Sequence, residues 1–109
     1  MKTIKMQVFA TVTAIAIGFV LSLSAHAQSA SGALYKSKCA ACHGADGTGS
    51  AAGKTMGVHD FTADAAQGMS DADLSTVITN GKNKMPAYGK SLKPDDIKGL
   101  VAYIRTLKK

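Results

Sequence analysis

The chain has 109 residues, a length that fits one compact domain and not two. Thirteen Lys and Arg stand against seven Asp and no Glu, a formal charge of +6 that suits acidic partners or anionic surfaces and is silent about fold. A hydrophobic share of 46% with eleven Gly and two Pro excludes a disordered chain and a fibre, and two cysteines exclude a multi-bridge disulfide scaffold.

The first element reads as an address. Lys2 and Lys5 precede an apolar stretch from Val8 to about Val20, followed by Ser22, Ser24 and the small-residue triplet Ala25-His26-Ala27. This is the layout of a secretory signal peptide with an A-x-A cleavage site. An uncleaved anchor is the rival reading, but the apolar run falls short of the ~20 residues a membrane span needs. Cleavage after Ala27 makes residues 1–27 a signal peptide and leaves residues 28–109 as a single exported, periplasmic domain of 82 residues and net charge +4. His26 would leave with the signal.

Three segments of that domain carry helical periodicity. Residues 31–38 form a short helix, with Leu34 and Tyr35 just ahead of the cysteines and Ser29 or Ser31 as the cap. Ser70 followed by Asp73 resembles a capping box, Leu74, Val77 and Ile78 fall at i, i+3, i+4, and Gly81 sits where a left-handed C-cap belongs. Pro94, Asp95 and Asp96 open a last helix whose Ile97, Leu100, Val101, Ile104 and Leu107 form one apolar stripe, while Arg105, Lys108 and Lys109 suit its negative dipole end. Gly44 to Gly57 and Gly81 to Leu92 read as Gly-rich connections, and no alternating run is long enough for a sheet, so the fold class is all-α.

Three short helices leave such a domain short of core. Tyr35, Phe61, Tyr88 and Tyr103 are the only aromatics after the signal, and Trp is absent. Domains this small commonly rely on a disulfide, a metal or another staple. The cysteines show which: Cys39-Ala40-Ala41-Cys42-His43 matches C-x-x-C-H, the attachment signature of a c-type haem. Two thiols three residues apart lie about one helical turn apart, near enough to add to both vinyl groups on one porphyrin edge. His43 then turns beneath the macrocycle and offers Nε2 to iron, while its other nitrogen needs an acceptor that fixes the tautomer. A thioredoxin-like pair needs a βαβ setting, a Cys39 to Cys42 disulfide leaves the core unfilled, and zinc needs a further ligand such as His59 at an unusual spacing.

Over residues 31–108 the chain resembles the class I c-type cytochromes, small monohaem electron carriers. The likeness is carried by Leu34-Tyr35 before the Cys39 to Gly44 motif, by Gly81-Lys82-Asn83-Lys84-Met85-Pro86-Ala87-Tyr88-Gly89, and by Leu100-Val101-Ala102-Tyr103-Ile104. The resemblance implies the small cytochrome c fold, three to four short helices around one covalent haem, with the first and last helices crossing so that Gly32 and Tyr35 meet Leu100 and Tyr103. It also implies that Met85, in an M-P-x-[YF] loop, is the distal iron ligand opposite His43. Of the three methionines after the signal, Met69 precedes the Ser70 cap as a packing residue, Met56 sits in a glycine-bounded loop and stays open as a ligand, and Met85 is stiffened by Pro86. Many relatives have a proline after the haem motif whose carbonyl accepts from the proximal histidine. Gly53 to Val58 has none, and a carbonyl from Thr55 to Val58 is expected in its place.

Gly53-Lys54-Thr55 looks like the end of a phosphate loop, but Thr48 stands where that motif needs glycine, so nucleotide binding is rejected and nothing points to nucleic acid. His59 reads as an exposed loop residue. Lys82, Lys84, Lys90 and Lys93 flank Met85 and form a candidate positive rim. The expectation is a monomeric, non-enzymatic one-electron carrier. Its donor and acceptor are redox proteins with acidic docking surfaces, and it meets a membrane only through a partner complex. A ligand-binding haem protein, or a subunit of a larger dehydrogenase or oxidase, are the other readings. Replacing both thiols, Cys39→Ala with Cys42→Ala, is expected to give a largely unfolded chain; far-ultraviolet circular dichroism checks this, and native helicity without haem would refute it.

Overall fold

The computed structural model describes residue 26 and residues 28–109; the signal-peptide reading of residues 1–27 otherwise lies outside the described residues. Six helices follow in order: α1 over 28–38, α2 Ala40–His43, α3 Ala51–Thr55, α4 Asp64–Gln67, α5 Asp71–Asn80 and α6 Pro94–Thr106. Among the described residues the only strand-like pairing is an isolated bridge between Lys82 and Met85, so the all-α reading holds. Helix α1 already runs at residue 28, which puts Ser29 and Ser31 inside it and not at its cap. Helices α3 and α4 are single turns without an apolar stripe, and periodicity does not reveal them.

Helices α5 and α6 end as their sequences imply, with one difference. The Ser70 hydroxyl accepts from Asp73 N–H at 3.1 Å at the start of α5, and the Asp96 carboxylate accepts from Lys93 N–H at 3.1 Å at the start of α6. Gly81 has φ +74° but ψ 171°, so it is not a left-handed helical cap. The chain leaves α5 extended and enters the Met85 loop at once.

The core sits where α1 crosses α6. Tyr35 is fully buried and Leu100 is 1% exposed, with Ile97, Val101 and Ile104 of α6 and Leu74 and Ile78 of α5 buried beside them. The crossing is close because it is built on glycine: a Cβ at Gly32 would stand 3.2 Å from Tyr103 Cε2, and one at Gly99 would collide with the Ser31 hydroxyl. The Tyr35 and Tyr103 rings meet there with centroids 4.9 Å apart. Arg105 does more than answer a helix dipole. Its guanidinium donates to Asp71 Oδ1 at 2.8 and 3.0 Å and to the carbonyls of Gln67 and Met69, clamping the α4–α5 connection onto α6.

Two surface turns repeat one device. Asp46 Oδ1 accepts from Thr48 Oγ1 at 2.7 Å and Thr48 N–H at 3.0 Å, and Asp60 Oδ1 accepts from Thr62 Oγ1 at 2.6 Å and Thr62 N–H at 2.8 Å. These bonds, the hydroxyl first, hold both carboxyls below the ordinary aspartate value of 3.8. A depressed folded-state pKa gives stability that is present above 3.8 and lost as pH falls through the lowered value. Asp46→Asn and Asp60→Asn should therefore flatten the acid limb of the stability profile, as followed by urea midpoints across that range. Leu100→Ala should cost about 2–5 kcal/mol in the same assay, because the crossing leaves no atoms free to refill the space.

Candidate haem site

The C-x-x-C-H segment continues α1 with little interruption. Cys39 N–H donates to Tyr35 O at 2.8 Å and His43 N–H donates to Cys39 O at 2.9 Å, so both thiols and the imidazole hang from successive turns of one rod. Gly44, at φ +79°, turns the chain out of α2. The carbonyls that α2 leaves exposed are then collected from one side: Gly49 N–H donates to His43 O at 2.7 Å, and Ser50 N–H to Cys42 O at 3.0 Å. Ser50 works twice, since its hydroxyl donates to Ala41 O at 2.8 Å and accepts from Gly53 N–H at 3.0 Å as the cap of α3. Tyr35 adds a hydroxyl donated to Gly44 O at 2.8 Å; burial raises its pKa far above the ordinary tyrosine value and keeps it a donor.

Met85 is presented by a hairpin closed on itself. Met85 N–H donates to Lys82 O at 2.9 Å and Lys82 N–H to Met85 O at 3.2 Å, around Asn83 at φ +53°. Its return limb docks on the end of α5, where Tyr88 N–H donates to Ile78 O at 2.9 Å and Gly89 N–H to Thr79 O at 3.0 Å. The Tyr88 hydroxyl reaches the other half of the site and donates to Lys38 O, next to Cys39, at 3.1 Å. Pro86 was the only stiffening device visible in the sequence; these bonds hold the loop as well.

Cys39, Cys42, His43 and Met85 all line a single cavity of about 260 Å³, walled by Leu74, Val77, Ile78 and Ile104. Met56 and Met69 line it too, so Met69 is both a packing residue and part of the wall, and Met56, 40% exposed, stands at its mouth. His59, exposed as expected, and the rim lysines Lys82 and Lys84 also face it, joined by Lys38, which the sequence reading passed over; Lys90 and Lys93 do not. Burial, with His59 nearby, pushes the His43 imidazole below its ordinary pKa and keeps it neutral, the form that can donate a lone pair. Burial pushes the Cys39 thiol up to about 11, so it stays protonated. Both cysteines are free. Among the described residues no three His, Cys, Asp or Glu side chains are grouped so that they could hold a metal ion, which leaves the zinc alternative without a ligand set.

This donor set fits a covalent porphyrin: two free thiols, a neutral imidazole and a thioether around apolar walls. At His43 the outcome differs from expectation, because Nδ1 is buried without any hydrogen-bond partner and no carbonyl of Thr55 to Val58 serves it. The Phe61 ring lies flat on the imidazole instead, centroids 4.4 Å apart and planes 17° apart. No sequence signal marks that pairing, since Phe61 lies in a loop without periodicity. The support beneath the motif depends on Gly53, where a Cβ would fall on the Cys42 carbonyl. Gly53→Ala should thus lower the stability of the holo-protein by about 1–3 kcal/mol and cut the yield of haem-loaded protein, as read from the denaturant midpoint and the Soret absorbance per chain.

A family model described as cytochrome c oxidase, cbb3-type, subunit III matches residues 26–104. Cytochrome c6 of Anabaena variabilis is 36% identical over 84 residues, covering 72% of this chain and 90% of its own length. The cbb3-type cytochrome c oxidase subunit CcoP of Azospirillum brasilense is 36% identical over 97 residues, covering 82% of this chain but 33% of that subunit. A solved c-type cytochrome, KustC0563, matches with a TM-score of 0.68 at 31% identity over 72% of this chain and 96% of its own. The chain belongs to the family that this model describes, among the class I c-type cytochromes, and its cofactor is a covalently bound haem c.

Proposed function

We propose that residues 28–109 form an exported, monomeric one-electron carrier in which Cys39 and Cys42 would hold the haem and His43 and Met85 would bind its iron. The observation that carries this reading is the convergence of those four side chains, from segments far apart in sequence, on one apolar cavity. The haem supplies reversible exchange of one electron between Fe(II) and Fe(III). His43 would give iron a neutral nitrogen, and the Met85 thioether would favour the ferrous state. With both residues bound no position would be left for a substrate, which suits a carrier and not an enzyme. The walls from Leu74, Val77, Ile78 and Ile104 exclude water and disfavour the extra charge of the ferric state.

Lys38, Lys82 and Lys84 ring the mouth of the cavity and suit a redox partner with an acidic docking surface, whose capture slows as salt screens the charges. Contact of this kind is brief and buries less than about 1,200 Å². Export rests on the signal-peptide layout of residues 1–27.

Met85→Ala tests the reading most directly. The variant should keep its covalent haem, lose the long-wavelength ferric absorption that reports methionine–iron bonding, and bind carbon monoxide at neutral pH, all followed by absorption spectroscopy. Loss of that absorption in Met56→Ala, with Met85→Ala unchanged, would transfer the role to Met56.

A further inference from the structure

An iron-bound imidazole usually has its plane and tautomer set by a hydrogen bond from its second nitrogen. His43 makes no such bond, since Nδ1 is buried without a partner. In the segment after α2, Gly53 O accepts from the N–H groups of Met56 and Val58, and Lys54 O accepts from Gly57 N–H. The Phe61 ring lies nearly parallel to the imidazole and stacks on its face. We propose that Phe61 is the positioning residue for His43, fixing the imidazole plane by stacking where a hydrogen-bond acceptor would otherwise do so. This rests on His43 being an iron ligand.

Phe61 is built to be immobile. Its N–H donates to Gly47 O at 2.8 Å, and its carbonyl accepts from Gln67 Nε2 at 2.6 Å. The same amide donates to Ile104 O at 3.0 Å, and the Gln67 carbonyl is gripped by Arg105 at 2.9 Å, so α6 holds the residue that holds Phe61. Behind the ring stands Tyr35, tilted 59° with centroids 6.5 Å apart. Gly47, at φ +82°, lets the chain pass so closely that a Cβ there would lie 3.0 Å from Phe61 Cβ. Rotation of the imidazole about its Cβ–Cγ bond would drive a ring edge into the face of Phe61, whose backbone is tied to Gly47 and Gln67. An imidazole held by stacking alone is also a weaker donor than one whose Nδ1–H is hydrogen-bonded, which favours ferrous iron.

The test uses holo-protein labelled with nitrogen-15 and carbon-13. In the ferrous wild type, His43 should show ring-current-shifted ring protons, and an Nδ1–H that exchanges slowly and has no through-bond coupling to a carbonyl. In Phe61→Leu the ferric haem-methyl shifts, which report the imidazole plane, should rotate to a new pattern while the methionine–iron absorption persists. Exchange at Nδ1–H should rise about tenfold or more. If water or a carbonyl then reaches Nδ1, preference for the ferrous state should fall by about tenfold, or about 59 mV for one electron. Phe61→Tyr should keep the wild-type methyl pattern. The proposal is overturned by a coupling from Nδ1–H to a carbonyl in the wild type, by an unmoved methyl pattern in Phe61→Leu, or by the same rotation in Phe61→Tyr. Should Phe61→Leu fail to fold, the wild-type coupling measurement decides alone. Unshifted His43 protons in the wild type would instead remove iron ligation by His43, and the proposal with it.

Discussion

The centre of this domain is short of its own side chains, and the six helices are placed around that shortage. Apolar residues of α5 and α6 face inward, yet they leave a cavity bounded on one side by the C-x-x-C-H segment and on another by the Met85 hairpin. A domain of this size normally buries too little apolar surface to offset the entropy of ordering its backbone. A large, flat, apolar, covalently bound cofactor solves that problem. It also explains why the packed core is small: Tyr35, Leu100 and Val101 at the α1–α6 crossing, with Leu74 and Ile78 of α5 beside them, hold one edge of a structure whose middle is given over to haem.

Around the cavity, the backbone does much of the positioning. Short helices have few internal bonds, so their ends must be satisfied by something else. Here the exposed carbonyls of α2 are taken by Gly49 and Ser50, those of α5 by Tyr88 and Gly89, and the last of α1 by the Tyr88 hydroxyl. Each of these bonds also fixes a segment that lines the site. Satisfying the helix ends and shaping the cofactor pocket are therefore one task.

How much of this could be read in the sequence follows from the range of each interaction. The helices α5 and α6 are local patterns of spacing and capping and stand where periodicity puts them, and C-x-x-C-H is a local pattern of the same kind. Crossing of α1 and α6 came from family likeness, and Gly32 against Tyr103 shows the reason for it. What escaped notice depends on residues distant in sequence: the Arg105 clamp on the α4–α5 connection, Lys38 at the cavity mouth, and Phe61 against His43. The missing acceptor at Nδ1 belongs with them, because absence of a proline says only what is not there. Helices α3 and α4 were invisible for another reason, since a single turn among glycines has no period to detect.

The hydroxyl bond from Tyr88 to Lys38 joins residues 50 positions apart. Closing a loop of that length costs on the order of 3.5 kcal/mol of chain entropy, whereas one such bond returns about 1 kcal/mol. It cannot nucleate anything by itself. The bond therefore closes only on two segments that other contacts already hold together.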